Sequence, residues 1–358
     1  MRWLISLLLI VASVPLRAAE TPAFHGLLRA RDLTPFGYLR LDMRPGFSSS
    51  PVRGEWTIET DFAYQNTWAT SPEVEKYLNG LPGRRELGPN ELQAIRDLPG
   101  ENYLVDLELA QLDVAINYQL TDRWGAYLIV SGAGFGGGFL DGTIEKFHRA
   151  IDAPHFGRPA AAQDDYNVIF DLKSSQYAAF ESPSSGGLLD PVLGVRYTRT
   201  SADDRWRMSL ESAIKVPLAS RGAALSTGRA DVGAQLSVQR FSGKNALYLN
   251  VAAVYYAGMD NFVSEPARML PTLVVGYERR LTPRTNAILQ GYVSRGIYGR
   301  QETDLQELRG TKTQLSAGIH HRRNAHLFTV ALTENIGYIN NTPDFGLQVG
   351  YSFNPGWK

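Results

Sequence analysis

Ionisable residues recur at every second position in stretches that otherwise alternate with apolar residues, and this spacing suits the wall of a polar channel. Successive side chains of a β-strand point to opposite faces, so residues two apart share a face. Charged groups inside a closed sheet either pair across a nearly filled interior or stay hydrated along a narrow pore. The sequence leaves both alternatives open. Strand parity assigns ten charged residues to the inner face: Glu59, Asp61, Asp113, Arg196, Arg207, Glu211, Lys215, Asp231, Glu278 and Arg322.

A glycine-rich stretch, Gly132 to Gly138, contains a match to GxGxxG, a pattern that binds dinucleotide phosphates. That chemistry needs the glycines between a parallel strand and a helix of a βαβ unit. Here they end one strand of an alternating series and open a long loop. We interpret them as the close-packed start of that loop and expect no cofactor.

The loop after these glycines contains a short amphipathic helix. Residues Leu140 to Asp152 carry apolar side chains at i, i+4, i+7 and i+11, and Pro154 bounds the segment. Such a helix either folds into the mouth of the fold as a constriction or lies on its rim, and the sequence favours neither. Its charged residues would line or crown the entrance: Glu145, Lys146, His148 and Arg149.

The histidines are the remaining candidates for chemistry. His148 and His155 share the long loop, but two ligands seven residues apart make a weak metal site. We expect solvated or stacking rings and no metal. Lipid-cleaving membrane barrels use a Ser–His pair on the outer surface. No Ser–His pair falls convincingly at that rim, so we expect no enzyme.

A series of alternating strands must position these residues. Short connections such as Thr121–Arg123 and long ones such as Gly132–Leu188 follow each other in turn. Outer-membrane barrels have short periplasmic turns and longer external loops. We therefore predict an all-β fold, a transmembrane antiparallel up-and-down β-barrel of about twelve strands with long extracellular loops. The predicted strands are 56–65, 103–120, 124–131, 189–200, 206–216, 231–241, 247–257, 270–280, 286–296, 312–322, 327–335 and 344–353.

Three stretches complicate this assignment. The apolar parity of Tyr103–Leu109 is opposite to that of Leu112–Leu120, which predicts a bulge near Ala110 and Gln111. Tyr166–Phe180 is strand-like, and we expect it to be an extracellular excursion of the sheet. If it crossed the membrane together with Tyr38–Met43, the barrel would have fourteen strands.

The N-terminus predicts export. A basic start, about a dozen apolar residues and small residues before Glu20 form a secretory signal. We assign residues 1–18 to a signal peptide, 19–53 to a periplasmic or lumenal segment and 54–358 to the barrel. The chain has 358 residues and no Cys, which excludes thiolate metal sites, disulfides and a lipidated N-terminal cysteine. Its 36 basic and 36 acidic residues argue against nucleic acid as a partner.

The last strand, reading DFGLQVGYSF, has one apolar face and one small or polar face. It resembles the C-terminal recognition strand of bacterial outer-membrane barrels, although the tail Asn354–Lys358 follows the final aromatic residue. The resemblance implies recognition by the barrel-assembly machinery. The residues assigned to this signal are Phe345, Gly346, Val349, Tyr351 and Phe353.

Three longer stretches resemble an uncharacterised proteobacterial outer-membrane family of the domain-of-unknown-function kind. They are Gly26–Pro45, Phe139–Arg158 and Ala331–Phe353, of which the first two are the more specific. The resemblance implies location in the outer membrane and a barrel shape. It implies no activity and no functional residues.

The polar inner face and the loop helix together favour a narrow channel or passive transporter for small polar solutes. The alternatives are a closed structural or adhesive barrel that binds a partner through its external loops, and a lipid-active hydrolase. The expected partners are outer-membrane lipid and lipopolysaccharide, with a small polar solute in the lumen.

Overall fold

The computed structural model describes residues 24–45, 52–152, 154–259, 263–264, 266–335 and 342–357. The signal peptide predicted for residues 1–18 lies outside them. The strands are β1 (Trp56–Thr70), β2 (Asn102–Gln119), β3 (Trp124–Gly136), β4 (Asn167–Asp171), β5 (Gln176–Ala179), β6 (Gly187–Leu188), β7 (Val192–Thr200), β8 (Trp206–Lys215), β9 (Asp231–Ser242), β10 (Asn245–Tyr255), β11 (Met269–Arg280), β12 (Thr285–Arg295), β13 (Thr311–Arg323), β14 (His326–Asn335) and β15 (Phe345–Phe353).

The helices are short and lie in the long connections. They are α1 (Pro72–Asn79), α2 (Pro89–Arg96), α3 (Asp141–Ile151) and α4 (Gln306–Arg309), with a 3₁₀ turn at Arg158–Ala160. None of those that the structure describes is long and apolar enough to cross a membrane. The helix predicted over Leu140–Asp152 is confirmed as α3.

Twelve strands close into an antiparallel barrel. The ring runs from β1 through β2, β3 and β7 to β15, and it closes where β15 pairs with β1, Ile58 opposite Phe353 and Asn66 opposite Phe345. Closure pairs the backbone groups of the edge strands, which a strand in lipid requires because no water is available there. The predicted count of twelve is confirmed, and the alternative of fourteen is wrong.

The extra strands do not enter the ring. Above Glu108, strand β4 replaces β3 as the neighbour of β2, and β5 pairs with β4. The strand-like run Tyr166–Phe180 is therefore the extracellular extension of the sheet that the sequence predicts. Residues 38–43 form no strand.

The bulge predicted near Ala110 and Gln111 is wrong. The register between β1 and β2 is continuous, from Trp56 opposite Tyr118 to Thr70 opposite Leu104. The apolar parity changes for another reason: the interior of the barrel is polar at the level of Asp113 and apolar at the level of Tyr103, which is fully buried in a hydrophobic cluster. The strand keeps its register while its inner face changes chemistry.

The outer face of the barrel carries a belt of exposed apolar side chains. Leu210, Val330 and Ile319 each expose about half or more of their surface, at 58%, 53% and 50%. A belt of this kind is unfavourable in water and matches the hydrocarbon of a bilayer. Aromatic rings lie at the end of the belt near the short turns, where Trp124 packs edge-on against Tyr197 with ring centroids 5.1 Å apart.

Residues 24–45, called here the plug segment, fill the inside of the barrel. The segment starts near the short turns, where the backbone of His25 contacts Glu278, and rises to Phe36 at the level of the long loops. A turn at Thr34–Tyr38 reverses it, and it returns to Arg44 beside Asn117. It has no regular secondary structure.

Helices α1 and α2 pack on the outward side of β1 and β2 where these strands extend past the apolar belt. Their apolar residues form a cluster with Trp68 and Leu104, whose even parity is that of the outward-facing Phe62 and Leu112. The start of α3 joins the same face, since Asp141 accepts a hydrogen bond from Asn66 at 3.1 Å. These elements form a cap on the side of the barrel.

The closing strand generates a prediction about assembly. Phe353 packs against Trp56 and His326, with ring centroids 5.7 and 5.3 Å away, and the Tyr351 hydroxyl lies 2.8 Å from His326 Nδ1. Replacing Phe353 and Tyr351 by Ala removes contacts of the order of 3 kcal/mol at the closing seam. We expect a marked loss of folded barrel, measured by heat-modifiable migration of membrane fractions.

The matched control is Val293→Ala, which truncates a lipid-facing side chain away from the seam. Its yield should stay near that of the wild type. Wild-type amounts of folded double variant would contradict the role assigned to these two rings.

Candidate functional site

All ten charged residues that parity assigns to the lumen lie on the inner face of the barrel. Six of them contact the plug segment directly, and Arg196 pairs with Glu211 on the neighbouring strand at 3.1 Å. Arg207 and Arg322 lie nearer the short turns, each with its guanidinium 5.3–5.4 Å from an aromatic centroid, that of Phe241 and that of Trp357. The six that contact the plug segment are Glu59, Asp61, Asp113, Lys215, Asp231 and Glu278.

Two wall carboxylates hold two arginines of the plug segment. Arg31 Nη1 donates to Asp113 at 2.7 Å, and its Nη2 contacts Asp61; Arg29 Nε donates to Asp113 at 3.1 Å. Arg31 and Asp113 are both almost fully buried. A buried ion deprived of its partner costs about 3–5 kcal/mol, so each side of this cluster depends on the other.

A second ion pair lies higher in the lumen, near the turn of the plug segment. Lys312 Nζ donates to Asp32 at 2.5 Å, both side chains are fully buried, and the ammonium lies 5.4 Å from the ring centroid of Phe36. Lys312 is absent from the set that parity predicts. Lys312 lies on the same face of β13 as the buried Gln314 and Ser316, and this parity identifies it as inward-facing.

The returning arm of the plug segment is held by β8 and β9. Lys215 and Asp231 form a buried pair at 2.9 Å. The Leu41 amide donates to Asp231 at 3.0 Å, and the Lys215 ammonium contacts the Leu39 carbonyl. These two wall residues therefore satisfy the backbone of an irregular segment that has no sheet partner.

The first residues of the plug segment rest on Glu278. This carboxylate accepts hydrogen bonds from the backbone of His25 at 3.0 Å and of Gly26 at 3.1 Å, and from the hydroxyl of Tyr248 at 2.5 Å. The ring of His25 meets that of His320 edge-on, with centroids 5.8 Å apart. The wall thus supplies an acceptor for backbone N–H groups of the plug segment, which have no sheet partner inside the lumen.

Two wall glycines leave room for side chains of the plug segment. A Cβ on Gly276 would lie 2.1 Å from Leu27 Cδ2, and one on Gly233 would lie 2.5 Å from Met43 Sδ. The shape of the wall, as well as its charge, is therefore complementary to this segment.

An apolar cluster closes the lumen at the end of the long loops. Phe36 lies 6.1 Å from Tyr103, 5.8 Å from Phe170 and 6.1 Å from Tyr298, measured between ring centroids. All four rings are fully buried. These buried rings fill the lumen with apolar side chains at the level of Phe36.

The predicted loop residues lie outside the mouth, on the cap. Glu145 accepts hydrogen bonds from Arg84 at 2.6 Å and from Gln163 at 3.0 Å. Lys146 and Arg149 are exposed to solvent, and His148 lies 5.9 Å from His155. The lumen is occupied by the plug segment instead, so α3 is a helix on the side of the rim and not a constriction.

The arginines and aspartates of the plug segment are the site residues that sequence reasoning missed. Four arginines and two aspartates give the segment a net charge of +2. Their partners lie up to about 280 positions away in the chain, as for Asp32 and Lys312. The local signal that could have identified these residues is the close spacing of charges in RARD and RLD within a segment that is otherwise apolar.

The sequence model of a protein family described as "Protein of unknown function (DUF3187)" matches residues 99–354. No protein with a curated description matches this chain. The fold is similar to that of the COG4313 outer membrane channel from Pseudomonas putida F1, with a TM-score of 0.54 and 14% identity over 87% of this chain and 100% of that one. The P. putida toluene transporter TodX also matches, with a TM-score of 0.40 and 8% identity over 85% and 91% of the two chains.

Together with the closed ring and its apolar belt, the first of these similarities shows that the fold is an outer-membrane β-barrel. This fold supports the outer-membrane location that the strand pattern predicts.

The fit between Gly276 and Leu27 can be tested by mutation. In Gly276→Leu the new side chain occupies the space of Leu27, and overpacking of this kind costs about 1–3 kcal/mol. We expect the plug segment to leave its place more often while the barrel stays folded. Limited trypsin digestion of refolded protein should then cleave at the arginines of the plug segment roughly tenfold faster.

The matched control is Gly291→Leu on the adjacent strand, where a Cβ has no atom within 4 Å. Its side chain points to lipid, so cleavage should match the wild type. Equal protection of the plug segment in both variants would show that Gly276 does not determine its position.

Proposed function

We propose a function for this chain, which belongs to the DUF3187 family of proteins of unknown function: it is a gated outer-membrane channel for small polar solutes, closed by its own plug segment. The observation that carries the proposal is the pairing of charges in the lumen. Six of the ten predicted wall residues bind the plug segment, and of these six only Lys215 and Asp231 also pair with each other.

Two pairs of wall charges form across neighbouring strands, Lys215 with Asp231 and Arg196 with Glu211, but the carboxylates of Glu59, Asp61, Asp113 and Glu278 bind the plug segment. Here the ring closes between β1 and β15 without any contribution from the plug segment. Removal of the segment would leave a polar wall that water can hydrate. Water would then hydrate the charged groups that had been paired. The free-energy cost of releasing the plug segment is therefore smaller than the cost of removing one partner from an ion pair that stays buried.

The charge of the opened lumen follows from the same contacts. The inner wall carries six carboxylates, Glu59, Asp61, Asp113, Glu211, Asp231 and Glu278, against five cations, Arg196, Arg207, Lys215, Lys312 and Arg322, which leaves a small excess of negative charge. A ring of carboxylates favours cations in a narrow pore. We therefore expect the open channel to prefer cationic and neutral polar solutes.

A second candidate function rests on the cap. Helices α1 and α2 have their own apolar cluster beside the barrel, and the long loops leave Phe139 and Phe147 more than half exposed. A closed barrel that presents this cap to an external partner accounts for these features without transport.

Conductance of the refolded protein in a planar bilayer separates the two candidates. The full chain should be closed for most of the recording. Deletion of residues 24–45 should give steady, cation-selective conductance, because it removes both the apolar closure at Phe36 and the arginines that neutralise the wall.

Deletion of Phe139–Arg158 is the matched control, since this stretch carries α3 on the cap, and we expect it to leave the channel closed. Heat-modifiable migration must show that both deletion variants fold. A folded barrel without residues 24–45 that stays silent would overturn the channel and favour the external-partner function.

Gating should also depend on pH through His25. Burial, together with the nearby His320 and Arg322, lowers the pKa of His25 from 6.5 to about 3. The plugged state therefore binds fewer protons than a released, hydrated histidine. Stability of the plugged state is fully present above about pH 6.5 and is progressively lost as the pH falls from there toward about 3.

We expect the open fraction of single-channel recordings to rise between pH 7 and pH 5. His25→Phe keeps a ring beside His320 but cannot titrate, so its open fraction should change much less over that range. The same pH response in the variant would assign the effect to another group.

A further inference from the structure

A group of basic residues lies at the end of the barrel that carries the short turns. The turn between β9 and β10 adjoins the turn between β11 and β12, where the Arg280 amide donates to the Lys244 carbonyl at 2.8 Å. These two turns and the strand ends that enter them carry five basic residues, four of them exposed and Arg280 half-buried. They are called here the basic rim patch: Arg240, Lys244, Arg279, Arg280 and Arg284.

The charge of the basic rim patch is not balanced by acidic residues among those that the structure describes. Between positions 232 and 300 the described part of the chain includes one acidic side chain, Glu278, which is fully buried inside the barrel. None of the five basic side chains forms an ion pair with a described residue. The turn between β7 and β8 carries Asp203 and Asp204, but Arg205 lies 3.8 Å from Asp203. The patch therefore presents positive charge to its surroundings.

The neighbouring aromatic rings indicate the depth of the patch in the membrane. The Arg240 guanidinium lies 5.3 Å from the ring centroid of Trp206, its partner on the adjacent strand. Leu247 is opposite both Arg240 and Tyr277, so these residues form one outward-facing row. Trp and Tyr favour the level of the lipid headgroups. Arg240 lies at that level, and Arg279 lies on the same face as Tyr277 but about 6–7 Å farther from the centre of the bilayer.

The surface next to the patch suits the other parts of a phospholipid. Leu247, Leu249 and Val275 are exposed on the outer face, on the side of the patch nearer the middle of the bilayer. A lipid whose headgroup met the patch would place its acyl chains on these residues. Guanidinium groups match the geometry of phosphate oxygens, and clustered cations attract anionic lipid. The ammonium of a zwitterionic headgroup would be repelled by the same cations.

From this arrangement we propose that the basic rim patch binds the headgroup of an anionic phospholipid. Arg240 and Arg279 contact the phosphate from the outer faces of β9 and β11, and Lys244 and Arg284 add positive charge from the turns. The short turns of outer-membrane barrels lie on the periplasmic side, so the lipid belongs to the periplasmic leaflet. The inference goes beyond the proposed function and does not depend on it, because the lipid binds outside the barrel and the plug segment lies inside.

The direct test is a competition between two lipids for the refolded full chain. The protein is placed in mixed micelles with equal amounts of phosphatidylglycerol and phosphatidylcholine that have the same acyl chains, and native mass spectrometry measures the lipid that it retains. We expect a preference for phosphatidylglycerol of roughly tenfold or more. The preference should decrease as the salt concentration rises, because salt screens exposed charges.

Arg240→Gln combined with Arg279→Gln removes the two guanidiniums assigned to the phosphate. The preference for phosphatidylglycerol should fall roughly fivefold for each arginine removed. The matched control is Arg295→Gln combined with Arg300→Gln, which removes the same charge from exposed positions at the end of the long loops and should leave the preference unchanged. Lys244→Gln combined with Arg284→Gln changes only turn residues, should also lower the preference, and replaces the first double variant if that one does not fold.

Two results would overturn the site: equal retention of the two lipids by folded wild type, or the wild-type preference in a folded variant of the basic rim patch. Neither result bears on conductance after deletion of residues 24–45. Failure of the lipid site and failure of the proposed channel are therefore separate outcomes.

Discussion

An ionised group inside a largely dry lumen must have a partner, and this requirement organises the structure. The wall of the barrel carries carboxylates at Asp61, Asp113 and Glu278 that no neighbouring wall cation among the described residues neutralises. The plug segment supplies the missing arginines and backbone donors. This pairing of the plug segment with the wall accounts for the closed lumen and for the course of the irregular segment. It also accounts for the wall glycines, which leave room for the side chains of the segment.

The period of two in a strand makes much of the fold predictable. Lipid imposes one strict face on each strand, so parity and the alternation of short and long connections predict the twelve strands and many of the residues that face inward, among them Glu211 and Asp231. Parity does not show what those residues meet inside. Contacts such as Asp32 with Lys312 join distant parts of the chain and leave no local period in the sequence.

The predicted bulge and the predicted loop helix show the same limit, namely that a local sequence pattern does not reveal what an element packs against. Apolar residues change parity at Ala110, which predicts a bulge, but the inner face changes chemistry at that height while the register continues. The length of the loop that carries α3 is compatible with a place in the mouth as well as on the rim. Asn66 and Glu108 are polar but have the parity of lipid-facing residues. Polar side chains at such positions indicate that β1 and β2 have left the membrane there, so the outer side of these strands can bind the cap.

The plug segment combines two kinds of closure with different responses to water. The cluster around Phe36 excludes polar solutes by apolar packing, which weakens only if the whole segment moves. The ion pairs below it can exchange partners with water, because both the arginines and the wall carboxylates are well hydrated once separated. In the proposed channel, a gate built this way would open as a unit. Its stability would be set by how well the polar contacts of the lower lumen are satisfied, among them those of Arg29 and Arg31 with Asp113.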